Sequence, residues 1–324
     1  MRRRDLIRLF SGAAIAWPLT THAQPAENPI RIGFLPIGSP SNTYDQSLVE
    51  AFRQGLREVG LVENRHVTID VVWVGNEAEF PQAVSGLVQR GAKLLVTAGS
   101  SASAAAKRYT STTPIVFVPV GNPVGIGLVE SLSRPGGNAT GISDVLADLS
   151  SKYLQFAAEL GAPQAPVYYL WHTEWTDGPS RFRSTERAAE SAGVELRARG
   201  IADVAEANEV LAAMKKGGAR TVIVQPSPLT YRHRSRLIDS AMSLGLGTIV
   251  AWPVAARDGA LVAYGPAYPY MYRRAASYVD RILKGTKPAD IPVEEPTVFE
   301  LAVNLKNSDG ARPLHAAIAS RPRE

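Results

Sequence analysis

Short apolar runs alternate with amphipathic stretches along nearly the whole chain, and the alternation restarts once. Ile30-Arg31-Ile32-Gly33-Phe34-Leu35 is apolar and ends at Pro36 and Gly38, as a buried strand should. Leu48, Val49, Phe52, Leu56 and Val59 then recur at helical spacing, and Gly60 closes that helix. Apolar runs at 67–72, 93–97 and 114–118 are separated by helical stretches at 80–88 and 101–107. The order βαβαβαβ predicts a parallel sheet with helices on both faces. A loop rich in Gly and Pro, Arg134-Pro135-Gly136-Gly137-Asn138, reads as the boundary of a first lobe.

The same order follows it. Helices at 152–160, 181–192, 204–214 and 234–243 alternate with strands at 167–171, 194–197, 221–224 and 248–251. A further strand at 261–264, a helix with Met271, Ala275, Tyr278 and Ile282 on one face, and a strand at 299–303 exceed what a second lobe needs. They predict that the chain crosses back between lobes. A length of 324 residues suits two cores rather than one.

Residues 1–23 read as an export signal. Arg3-Arg4-Asp5-Leu6-Ile7 fits a twin-arginine pattern, although the triple Arg also suits the general route. An apolar stretch at 9–19 follows, and Thr21-His22-Ala23 resembles a small-residue cleavage site. That stretch is too short for a permanent membrane span. The segment also carries much of the formal charge of +5; without it, 31 basic residues face 29 acidic ones. A nearly neutral body argues against nucleic acid as the main partner. The lack of Cys excludes disulfides, thiolate metal sites and thiol catalysis.

The search for catalysis is negative. His22, His66, His172, His233 and His315 form no H-E-x-x-H, and His172 with Glu174 reads as a solvated loop. Gly99-Ser100-Ser101-Ala102-Ser103 lacks the second Gly of a nucleophile elbow, and Gly125-Ile126-Gly127 lacks the third Gly of a dinucleotide loop. Asn138-Ala139-Thr140 reads as a turn. No catalytic residue, metal or cofactor is expected.

Binding residues are sought instead at strand carboxyl ends, where open parallel sheets hold their ligands. These are Ser39, then Gly99, Ser100 and Ser101 opening a helix, then Asn122. In the second half they are Trp171, Gln225 and Trp252. Free N–H groups at a helix start suit a carboxylate, and Ser100 or Ser101 serves equally well as a plain cap. Indoles at strand ends can stack on a flat ligand, with Trp175 and Tyr44 as weaker candidates.

Asn122-Pro123-Val124-Gly125-Ile126-Gly127-Leu128 and Arg134-Pro135-Gly136-Gly137-Asn138-Ala139-Thr140-Gly141 resemble the signature of a substrate-binding protein family of ABC transporters, one with tryptophan- and tyrosine-binding members. Residues 51–60, 272–285 and 299–306 resemble it as well. The resemblance implies a type I periplasmic-binding fold: two Rossmann-like lobes joined by three crossings that close on a small ligand. It places 29–144 and 263–285 in the first lobe and 145–262 and 286–306 in the second, with 307–324 a divergent, disordered tail. It implies a monomeric periplasmic receptor for a small carboxylate or amino-acid-like ligand, partnered by an ABC permease. The alternatives are a secreted α/β enzyme and a sensory receptor or regulator of the same fold. Asn122 stands where that family usually carries Asp, which removes the expected partner of a ligand amine. The exported chain should begin at Gln24, and intact-mass measurement of protein from the native periplasm checks this; a full-length cytoplasmic product would contradict it.

Overall fold

Four apolar runs of the first half and a fifth strand pair into one parallel sheet in the computed structural model, which describes residues 28–160, 165–175, 177–304 and 321–322. The elements are β1 (Ile30–Leu35), α1 (Thr43–Glu58), β2 (Val67–Val71), α2 (Phe80–Gln89), β3 (Leu94–Thr97), α3 (Ser100–Tyr109), β4 (Ile115–Val120) and β5 (Ala139–Ser143). Their order in the sheet is β2-β1-β3-β4-β5. Strands β3, β4 and β5 are buried at every residue, as parallel strands covered on both faces must be. Asn42 caps α1 by accepting the N–H groups of Tyr44 and Asp45, and the expected stripe Leu48, Val49, Phe52 and Leu56 faces inward.

The second half contributes α4 (Ser150–Leu160), β6 (Val167–His172), α5 (Gly178–Ala192), β7 (Leu196–Ile201), α6 (Ala207–Lys216), β8 (Thr221–Val224), α7 (Pro228–Arg232), α8 (Arg234–Ser243) and β9 (Gly247–Val250). Then come β10 (Val262–Pro266), α9 (Tyr268–Leu283), β11 (Val298–Val303) and the two-residue β12 (Arg321–Pro322). The sheet order is β12-β11-β10-β9-β8-β6-β7, parallel from β7 to β10 and antiparallel at β11 and β12. An α/β fold with two parallel-dominated sheets is therefore present.

Three details differ from the sequence reading. The loop at 134–138 does not end the first lobe, because β5 follows it and pairs with β4. Asn138 is buried and its carboxamide donates to the Thr110 and Thr113 carbonyls, so Asn138-Ala139-Thr140 opens a strand rather than a turn. The run Ala-Thr-Gly-Ile-Ser hides this strand from a hydrophobicity pattern, since Gly141 must be small: a Cβ there would lie 2.0 Å from the Phe117 carbonyl oxygen. Secondly, 263–266 was expected with the first lobe, yet β10 hydrogen-bonds between β9 and β11 in the second sheet. Thirdly, Glu294 exchanges backbone bonds with Gly141 and Ser143, which puts this part of 286–306 on the edge of the first sheet. Residues 1–23 and most of 307–324 lie outside the described residues; Arg321–Pro322 pairs with β11.

Of residues 263–285, α9 is the part that joins the first lobe. It packs along α1, burying Met271, Tyr272, Ala275, Ala276 and Val279. Phe34 sits 5.1 Å from Phe52 and 6.2 Å from Tyr272, ring to ring. The two helix backbones meet at Gly55, where a Cβ would fall 2.1 Å from the Arg273 carbonyl oxygen. Backbone cannot yield as a flexible side chain can, so Gly55→Val should cost about 1–3 kcal/mol of stability. Urea unfolding measures it, and an unchanged midpoint would show that α9 is not seated there.

Candidate functional site

Strand order reverses direction between β1 and β3 in the first sheet and between β6 and β8 in the second. At such a switch point the two flanking loops run apart and leave a crevice at the carboxyl ends. Here the two crevices face each other. Ile37, Ser100, Trp175, Arg181, Tyr231 and Trp252 are among the residues around a cavity of about 30 Å³ between them. Ser100 also lines a larger compartment of about 430 Å³, with Glu77, Ser101, Asn122, Asp177 and Arg183.

Two ionic groups frame these cavities. The first is Arg181, in the first turn of α5. Its Nε donates to Asp177 Oδ2 at 2.8 Å, and its Nη2 donates to Asp144 at 2.9 and 3.2 Å. Asp177 and Arg181 are four residues apart and share a helix face, whereas Asp144 follows β5 at the first crossing. Gly121 makes room for the guanidinium, since a Cβ there would lie 1.7 Å from Nη2. Burial alone would push Arg181 down, but the two carboxylates more than offset it and hold the cation above its usual range. Burial pushes the Asp177 carboxyl up, against the pull of Arg181. The guanidinium carbon also lies 5.2 Å from the centroid of Trp175.

The second group is Asp45, in the first turn of α1. Its Oδ2 accepts the Ser39 backbone N–H at 2.9 Å, and its Oδ1 accepts the Tyr231 hydroxyl at 2.8 Å. Arg234 Nη2 stands 3.4 Å from the same oxygen. Tyr231 and Arg234 belong to α7 and α8, so this carboxylate ties the first lobe directly to the second. Burial raises its pKa despite those donors. A buried carboxylate is tolerated only when well bonded, and three donors supply that. Gly38, at φ +93°, lets the loop lie against the carboxylate, where a Cβ would come within 2.1 Å of Oδ2. The Tyr231 ring meets Trp252 edge-on at 5.4 Å and stacks on Tyr268 at 6.3 Å.

The sequence candidates divide accordingly. Gly99, at φ +84°, and Ser100 open α3 and line the small cavity, as does Trp252. Ser101 lines the larger compartment and its hydroxyl donates to Glu77 at 2.9 Å. Asn122 is exposed beside that compartment, its carboxamide oxygen accepting the Gly125 N–H at 2.8 Å. Ser39 supports Asp45 and pairs its hydroxyl with Ser41, away from both cavities. Trp171 stacks on Phe182 at 5.2 Å with planes 11° apart, within the core of the second lobe. Its place one residue before the end of β6 turns the indole toward α5 rather than into the cleft. Gln225 is fully buried; it accepts the His172 N–H at 3.2 Å and donates to the Gly178 carbonyl at 2.9 Å, joining β8 to the start of α5.

The amino-acid sequence alone does not single out Asp45, Asp144, Asp177, Arg181 or Tyr231. The Asp177–Arg181 spacing was a readable signal, while the Asp45–Tyr231 contact spans 186 residues and had none. Among the described residues, no group of three His, Cys, Asp or Glu side chains is placed to hold a metal ion.

The sequence pattern of a family described as ABC transporter substrate binding protein matches residues 41–310. A tyrosine-binding protein of Clostridioides difficile is 25% identical over 256 residues, covering 79% of this chain and 73% of that one. Among solved structures, an ABC domain from Streptococcus pneumonia in complex with L-Trp superposes with a TM-score of 0.78 at 20% identity, covering 87% of this chain and 94% of that one. A conserved domain protein from Vibrio cholerae gives 0.78 at 22% identity, covering 88% and 96%. These structures share the two-lobed fold.

The Tyr231–Asp45 bond can form only while the lobes are together. Tyr231→Phe removes the hydroxyl and leaves the ring contacts with Trp252 and Tyr268. It should weaken closure by about 1.5–3 kcal/mol, the range for a hydrogen bond to a charged group. Distance measurements between spin labels on the two lobes should show a larger separated population than in wild type, and an unchanged distribution would remove this bond as a latch.

Proposed function

The chain belongs to the ABC transporter substrate-binding protein family, and on that footing we propose that it is the exported receptor of an importer, closing its lobes over one small amino-acid-like molecule. Members of this family bind their ligands and do not turn them over. The observation that carries the reading is the meeting of two switch-point crevices across one cleft, with Ser100 from the first lobe and Arg181 and Trp252 from the second around the same space. Ligands of open α/β sheets lie at such crevices, and contacts drawn from both lobes favour the closed form over the open one.

The relatives support an aromatic amino acid as the ligand: one is a tyrosine-binding protein and another was solved with L-Trp. Trp252 and Tyr268 offer apolar ring surface on the cavity wall. The export signal read at residues 1–23 supports a periplasmic location, and the partner would be an ABC permease. Among the described residues, no helix is long and apolar enough to cross a membrane.

Calorimetry with L-tyrosine and L-tryptophan tests this reading together with small-angle scattering. Binding should reduce the radius of gyration. Trp252→Ala should weaken binding by about 1 kcal/mol, the scale of one aromatic contact. Trp171→Ala should bind as wild type does but melt earlier, because that indole packs only within the second lobe. Protein that carries no small molecule in native mass spectrometry, takes up none, and does not change shape would overturn the proposal.

A further inference from the structure

Three buried polar atoms at the start of α5 have no hydrogen-bond partner among the described residues: Trp175 Nε1, Arg181 Nη1 and Asp177 Oδ1. Their residues are 4%, 5% and 1% exposed. A buried donor or acceptor left unpaired is costly, so three at one junction among the described residues are where an added partner would be held most strongly. Their neighbours are already satisfied. Asp144 Oδ1 accepts the Leu146 N–H at 3.0 Å as well as Arg181, and its Oδ2 is bonded to Arg181. Asp177 Oδ2 accepts Arg181 Nε at 2.8 Å. Asp177 precedes α5, yet its side chain makes no capping bond to that helix.

The residues carrying the unpaired atoms line cavities, and Asp177 and Arg181 together line a further one of about 320 Å³. Trp175 and Arg181, the donors, line the small cavity together with Ser100. Asp177, the acceptor, lines the larger compartment, where Ser100 appears again. The cation Arg181 faces two carboxylates, so the triad lacks one positive charge. Asn122 does not supply an acid, and its carboxamide oxygen is engaged with the Gly125 N–H.

We propose that Trp175 Nε1 and Arg181 Nη1 hold the carboxylate of an α-amino acid in the small cavity, and that Asp177 Oδ1 takes its ammonium. This deepens the binding reading above and rests on it. A carboxylate suits two charge-assisted or polar N–H donors, and the start of α3 at Ser100 adds the positive end of a helix to the same cavity. The ammonium supplies the charge the triad lacks and works against the burial that pushes the Asp177 carboxyl up.

The test uses the exported chain, the twenty standard amino acids, and, for the tightest of them, its des-amino acid and its decarboxylated amine, all by calorimetry. Trp175→Phe keeps the ring and removes the donor. It should weaken the amino acid and the des-amino acid alike, by about tenfold, and leave the amine unchanged. Asp177→Asn keeps the shape and removes the charge. It should weaken the amino acid and the amine by about tenfold or more and leave the des-amino acid unaffected. Thermal melts confirm that both variants fold, and should Asp177→Asn disturb Arg181, the Trp175→Phe comparison still decides. An amino acid bound equally well by wild type and both variants overturns the assignment, with water satisfying the three atoms, and leaves the binding reading intact. Wild type that binds none of the twenty but releases another small molecule on denaturation overturns the amino-acid assignment alone. Wild type that neither binds nor carries any small molecule overturns both.

Discussion

In a parallel sheet each strand must be returned to the same edge by a crossover, so all carboxyl ends emerge on one side. The first sheet and strands β6 to β10 of the second obey that rule, and each strand order contains a switch point. Three passages between the sheets then hold those sides face to face: after β5, after β10 and before β11. The cleft and every residue argued to act in it follow from this arrangement. Loops after β1, β3, β6 and β8 are brought together because the sheets leave them nowhere else to go.

Two buried ionic groups sit in that cleft, and they differ in a way that separates structure from binding. Asp45 has its oxygens bonded on both sides, by Ser39, Tyr231 and Arg234, and so serves to hold the lobes together. Arg181 and Asp177 are bonded on one side only, each keeps a buried unpaired atom, and their residues line the cavities. A saturated carboxylate stabilises the closed form without help, whereas an unsaturated pair is stabilised only when something else arrives. Glycines make both groups possible. Gly38 lies against Asp45 and Gly121 against Arg181, each where a Cβ would overlap the charged group.

Much of the fold was legible in the amino-acid order, and the reasons are local. Period-two and apolar runs marked β1 to β4 and β6 to β11, and helical spacing marked the buried stripes of α1 and α9. Strand β5 was hidden because close packing on β4 requires glycine where a strand pattern would show a branched residue. The site was legible in part. Gly99, Ser100 and Trp252 follow strand ends and do line the cavity, because the rule about carboxyl ends concerns chain direction alone.

What local order could not decide is which side chain at a strand end turns into the cleft. Trp171 and Trp175 lie four residues apart, and both looked like binding indoles. The first still belongs to β6, where alternation sends it onto Phe182, and only the second lies in the loop beyond it. The sequence alone determined two alternating lobes, their open sheets and the edge at which sheets of this kind form a crevice, because these depend on spacing between near neighbours. Tertiary structure decided that Asp45 meets Tyr231 and that Asp144 meets Arg181. Those partners are 186 and 37 residues apart, and no periodicity records a contact made only when two sheets are folded against each other.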